Sequence, residues 1–353
     1  MKARLFLMTV LFITLVVISS GCSLFNDGTE APNKDYEIQE QEESINNIDG
    51  EKIEDVEGME VKMRDTVFYY VTDDGHHLVP YMMKIPWEEG IGRAAVKKLI
   101  DCQEVRETLN GTGLNPVLPS GTEILGLTIR DGLAKIDFNG NFLNFSTKEE
   151  EENGVNAVVY TLTEFPTVDK VQFMIEGKII DILPYGTNIS KPLERGNINL
   201  ERDSTETSGT GSSPVTLYFI WSGPEGHAFF FVPVTRIAPK VDNIIKWAVE
   251  ELVKGPERGK GLYSFIPAST RVLDVRVDKK GTAYVNFSGE IADYGGGIVT
   301  ESAIINCIVL TLTQFPEVNQ VRVLVEGDSG VLPEGTILDR PISRPVYINP
   351  SGL

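Results

Sequence analysis

Histidine, cysteine and tryptophan occur only three times each in 353 residues. His76, His77 and His227 lie in or beside two turns and read as exposed turn histidines. Zinc sites need three or four ligands at fitting spacing, so no metal site is expected. No serine occupies a sharp, glycine-flanked strand-to-helix turn, which removes the nucleophile elbow of a Ser-His-Asp hydrolase. Two cysteines besides Cys22 do not make a disulfide scaffold; Cys102 and Cys307 read as small buried hydrophobes. Basic residues are also short: 32 Lys and Arg stand against 51 Asp and Glu, a formal net charge of -19. Nucleic-acid binding relies on basic groups that neutralise phosphate, so nucleic acid is not a partner. Anionic lipid is likewise a poor match for the chain as a whole. Carboxylates are too numerous for counting to exclude a glycosidase pair. Gly295-Gly296-Gly297 precedes a helix, where backbone N–H groups can hold an anion. No lysine follows at P-loop spacing, so it reads as a plain helix-start loop.

The one long apolar run is Leu5–Ile18, preceded by Lys2 and Arg4 and followed by Ser19-Ser20-Gly21-Cys22. A short positive start, an apolar core and small residues before a break describe an export signal. The cysteine makes it resemble a bacterial lipoprotein signal. That resemblance implies removal of 1–21 and lipid on Cys22; an uncleaved single span and a plain secretory signal are the alternatives. Residues 22–65 are polar and acidic and bury too little apolar surface to offset ordering, so they read as a tether.

The body is written twice. Residues 161–177 read TLTEFPTVDKVQFMIEG and residues 311–327 read TLTQFPEVNQVRVLVEG. Before each lies an apolar helical stripe, Val155, Val158, Val159 and Leu162, matched by Ile305, Ile308, Val309 and Leu312. Phe165-Pro166 and Phe315-Pro316 end it, because proline disfavours α conformation in the residue before it. An alternating strand and a Glu-Gly turn follow, so Glu176 and Glu326 are assigned to turns. Upstream, 66–72 with 78–85 and 216–221 with 228–236 read as hairpins, and 124–138 and 272–287 as a second pair. The fold class is therefore α+β: two tandem copies of a β-β-α-β-β-α-β domain, with two helices on one face of a mixed sheet. The copies span 66–193 and 216–347, joined by a flexible linker at 194–215. Each copy has a full apolar set and is expected to fold alone.

The run from Pro119-Ser-Gly-Thr and Pro267-Ala-Ser-Thr through Asn156 and Asn306, Thr-Leu-Thr-x-Phe-Pro and the last strand resembles the GerM domain of spore-forming bacteria. The resemblance covers both copies. It implies a fold similar to a ring-building motif, a role in sporulation and spore germination, and no enzymatic activity or cofactor. It further implies a lipid-anchored protein on the extracytoplasmic face of the cell membrane, in the space between mother cell and forespore. Its partners there would be proteins of the trans-envelope channel, with self-association. The alternative is a cell-wall binder of peptidoglycan, for which Tyr69, Tyr70, Trp87, Tyr218, Trp221 and Trp247 are candidate platforms. In the first copy Glu149–Gly154 replaces the glycine-rich start of the second, so the copies need not meet partners equivalently. Replacing Cys22 with alanine should release the protein from the membrane fraction or leave its precursor uncleaved; unchanged fractionation and migration would refute lipid attachment.

Overall fold

The computed structural model describes residues 62–201, 211–224 and 229–351. Cys22, the signal, nearly all of the tether, His227 and the centre of the linker lie outside the described residues. The first repeat starts with β1 (Met63–Thr72) and β2 (Leu78–Pro86), followed by α1 (Ile91–Lys97), α2 (Gln103–Thr108) and a short β3 (Leu114–Asn115). Then come β4 (Ile124–Arg130), β5 (Gly132–Phe138), α3 (Lys148–Thr163) and β6 (Val168–Ile175). The second repeat follows the same plan: β7 (Ser213–Ser222), β8 (Phe229–Ala238), α4 (Ile244–Lys254), β9 (Leu262–Tyr263), β10 (Val272–Val277), β11 (Thr282–Phe287), α5 (Gly297–Leu312) and β12 (Gln320–Val325). It adds β13 (Ile342–Ser343) and, among the described residues, has no counterpart of α2.

The α+β class and the tandem repeat stand as read. The strands, however, do not form one sheet with both helices on one face. Each repeat has two sheets, β2-β1-β3 beside β4-β5-β6, and β8-β7-β9 beside β10-β11-β12-β13. The helix explains the division. α3 packs on both β1 and β6, and Val155, Ala157, Val158, Val159, Tyr160, Thr161 and Leu162 are all buried. A helix apolar nearly all round needs cover on more than one side. In each repeat an antiparallel hairpin leads into a parallel pair, β5 with β6 and β11 with β12. The helix is the crossover that a parallel pair requires. Asp131 and Gly132 turn the first hairpin with positive φ, 49° and 76°, as a tight primed turn demands.

The threonines of the duplicated motif brace this arrangement. Thr161 Oγ1 accepts the Tyr69 amide at 3.2 Å, and Thr311 Oγ1 accepts the Tyr218 amide at 3.0 Å. Thr163 and Thr313 accept from Arg195 Nε and Arg344 Nη1 at 2.8 and 3.0 Å. Both arginines also reach the last helical carbonyls, Tyr160 O and Leu310 O. The last carbonyls of a helix lack an intrahelical amide donor, and Tyr160 O also accepts the Thr163 hydroxyl at 3.2 Å.

The two repeats meet along β2 and β8, each the edge of its own sheet. Pro80 and Pro233 lie in the middle of these strands, and an edge is where a strand tolerates proline. The segment after each repeat lies across the junction. Asn199 Oδ1 accepts the Leu78 amide at 2.8 Å, while its Nδ2 donates to Leu78 O and, in the other repeat, to Pro233 O at 2.7 Å. Asn349 mirrors it: Oδ1 accepts the Phe231 amide at 2.8 Å, and Nδ2 donates to Phe231 O and to Pro80 O at 2.7 Å. Both asparagines sit at positive φ, 48° and 53°, a region asparagine enters more readily than most residues. The main chain completes the closure, with Thr235 bonded to Ile198 and Glu201 and Met82 bonded to Asn349 and Ser351.

Part of the segment read as linker is thus a fixed strap, and residues 344–351 form its twin. The halves share one continuous apolar core, so the sets read as separate are joined. Asn349→Ala would strand two buried carbonyls and an amide, costing about 3 kcal/mol of unfolding free energy, with Asn199→Ala similar. Urea unfolding of the full chain measures this, and a change under 0.5 kcal/mol, the range of an ordinary surface substitution, would contradict the clasp.

Candidate functional site: the junction of the repeats

β1 and β2 turn at Asp73–His77 and deliver two adjacent histidines to different surroundings. His76 is exposed, its Nδ1 3.2 Å from Glu149 Oε1. His77 is not an exposed turn residue: it is 5% exposed, and its amide donates to Thr72 Oγ1 at 3.1 Å. It immediately precedes β2, whose first six residues are all buried. Its Nδ1 has no hydrogen-bond partner among the described residues. Burial pushes the imidazole down to about 4, more than the nearby Asp74 carboxylate can offset.

Beside this turn lies a cleft of about 690 Å³. Asn153 and Asn156 of α3, Asn197 and Asn199 of the strap, and Lys260 of the second repeat contribute to its wall. Lys148 pairs with Glu152 at 3.4 Å and Lys260 with Glu257 at 3.1 Å. Asn199 is spent on the clasp and Asn153 Nδ2 donates to Gly75 O at 3.0 Å, while Asn156 and Asn197 also line the cleft wall. Among the described residues no group of three or more His, Cys, Asp or Glu could hold a metal.

Sequence reasoning missed the buried carboxylates. Glu151 and Glu301 are fully buried at matching positions of α3 and α5. Glu151 accepts the amides of Tyr185 and Thr187 at 2.8 and 2.9 Å, and Glu301 those of Glu334 and Thr336 at 2.8 Å. Each pins the loop that ends its repeat. The signal was present, a glutamate at the same place in both copies, but the acidic run around Glu151 concealed it. Glu176 and Glu326 are in turns as read, both at φ 51°, and accept the amides of Gly140 and Gly289. The glycine loop before α5 supplies a left-handed cap at Gly296.

The aromatic platforms change character. Tyr69, Tyr70, Tyr218 and Trp221 are core residues and Trp247 is half-buried, leaving Trp87 as the one that stands out into solvent. Cys307 is buried as expected, whereas Cys102 is exposed because it precedes α2 at the surface; both are free thiols.

Residues 67–181 and 216–331 match the Germane family, described as sporulation and spore germination. The chain belongs to this family. It is 30% identical to the spore germination protein GerM of Bacillus subtilis over 96% of this chain and 95% of that one. The solved structure of the tandem GerMN domains of the Bacillus subtilis protein superposes with a TM-score of 0.67 at 31% identity, covering 81% of this chain and 99% of that one. Both repeats of the family are therefore present, and the general role lies in sporulation and germination.

The imidazole of His77 sets a pH dependence. An unfolded chain takes its proton near 6.5, the folded protein only near 4. The unfolded state thus binds more protons between these values, so stability is full above about pH 6.5 and falls as pH drops toward 4, by about 3 kcal/mol. Urea unfolding at pH 7 and 4.5 should show the loss, and His77→Gln should reduce it; an identical pH dependence in the variant would refute the assignment.

Proposed function

We propose that the chain is a non-enzymatic lipoprotein, anchored through Cys22 on the extracytoplasmic face of the cell membrane, that assembles with proteins of the channel between mother cell and forespore. The family role and the N-terminal signal support this reading. One observation carries the assembly part. The repeats close on each other through matching surfaces, and a contact of that kind is used up once made. Each repeat still presents a second sheet edge, β4 and β10. Both edges carry the same irregularity, a register shift that leaves Leu125 and Leu273 outside the ladder. These leucines are 47% and 41% exposed. Bulges at sheet edges re-aim side chains or end pairing, and retention of the device in both copies fits a docking role for the edge.

The amide-rich cleft supports the wall-binding alternative, and pull-down on purified peptidoglycan separates the two readings. Crosslinking from position 125 or 273 in sporulating cells should capture a channel protein or a second copy. Leu125→Lys with Leu273→Lys should lose that capture at unchanged protein level. Recovery of wall fragments alone would overturn the assembly reading.

A further inference from the structure

The repeats differ most informatively where β2 and β8 end. In the second repeat the last basic residue of the strand, Arg236, is drawn inward. Its Nε lies 2.5 Å from Glu201 and its Nη1 3.0 Å from Glu251. Met83 holds the matching place in the first repeat, and Lys84 beside it stays exposed. Trp87 follows it, 53% exposed, and Met63 opposite is 48% exposed. Met63 pairs with Pro86 across the hairpin, and the Trp87 amide donates to Lys62 O at 2.7 Å. The Lys62 ammonium lies 5.7 Å from the centre of the Trp87 ring. Beyond the tryptophan is a shallow pocket of about 280 Å³ walled by Ile85, Pro86 and Ala94, with Lys97 on its rim.

An exposed indole and methionine among lysines suit the boundary between water and lipid. There an aromatic ring buries its apolar body and keeps its N–H wet, and lysine stems lie along apolar surface with their charge outward. Lys62, Lys84 and Lys97 stand among the patch's acids, Asp65 (the cross-strand partner of Lys84), Glu88 and Glu89. The second repeat has Lys240 in the position of the tryptophan, after the Pro239 that matches Pro86. The patch is thus confined to the repeat that follows the N-terminal segment, and Lys62, where that segment arrives, is part of it. About forty residues separate it from Cys22.

We propose that the patch formed by Lys62, Met63, Lys84 and Trp87 rests the first repeat on an anionic lipid bilayer. The proposal draws on the anchored reading for proximity. A linker holding the body near the bilayer supplies a high effective concentration, so a contact too weak to recruit a free protein suffices. The net charge of the chain opposes any broader contact. The body therefore touches the bilayer at this corner, leaving β4, β10 and the junction cleft to face other partners.

The test uses the full chain reconstituted on vesicles of phosphatidylglycerol and phosphatidylcholine, with brominated acyl chains as quencher. Trp221 is buried and Trp247 half-buried, so the exposed indole dominates the response. Tryptophan emission should shift to the blue and be quenched, and Trp87→Ala should abolish most of the quenching. Lys62→Glu with Lys84→Glu should reduce quenching on the order of tenfold, as should pure phosphatidylcholine. Sedimentation with the vesicles reports the N-terminal anchor, and quenching reports the docking, so the two fail separately. A chain that sediments unquenched, quenching that survives Trp87→Ala, or no sedimentation at all would overturn the proposal.

Discussion

Two sheet edges facing each other at a buried junction create a demand that side-chain packing cannot meet. The outward amides and carbonyls of β2 and β8 are cut off from water there, and an unpaired buried backbone group costs as much as a lost hydrogen bond. A continuous ladder between the strands is ruled out because Pro80 and Pro233 lack the donor. The asparagines solve this with their full capacity, one acceptor and two donors each. The carbonyl of each proline receives its hydrogen bond from the asparagine that follows the other repeat. Everything else at the junction depends on this closure: the burial of His77, the contact of Tyr81 with Phe230 at 5.9 Å, and the strap that walls the cleft. Because each repeat contributes the same segment, the contact is complete with two copies. It cannot be repeated to build a ring or a filament.

The local features were legible in the sequence because their periods are local. Hairpins, helix ends and glycine turns announce themselves within a few residues, and duplication doubled every signal. What failed needed a neighbour. The stripe from Val155 to Leu162 reads as one face of a helix, and only a second sheet reveals why Ala157, Tyr160 and Thr161 are buried too. Tyr69, Tyr70, Tyr218 and Trp221 read as candidate platforms, yet each strand is covered on both sides. His77 could not be told from His76 by its neighbours. The clasp left the clearest unread trace. Ile198-Asn199 and Ile348-Asn349 recur, as do Val79-Pro80 and Val232-Pro233. The asparagines fall in segments that look like a linker and a frayed end, and nothing local says that each reaches the opposite repeat.

Comparison of the two copies separates brace from contact. Several positions where they agree brace the fold: Glu151 with Glu301, Thr161 with Thr311, Asn199 with Asn349, Arg195 with Arg344. Each holds a helix end, a loop or the junction. The copies also disagree at the surface. The first turn of α3 carries Glu149 and Glu150, whereas that of α5 carries Ile298 and Val299, 52% and 55% exposed. Trp87 stands exposed where the second repeat has Lys240. Had selection required two equal arms gripping one kind of partner, these surfaces would have stayed alike while the interior drifted within its volume limits. On the assembly reading proposed above, the shared edges β4 and β10 would offer a common mode of pairing, and the unlike flanks would decide what is paired at each.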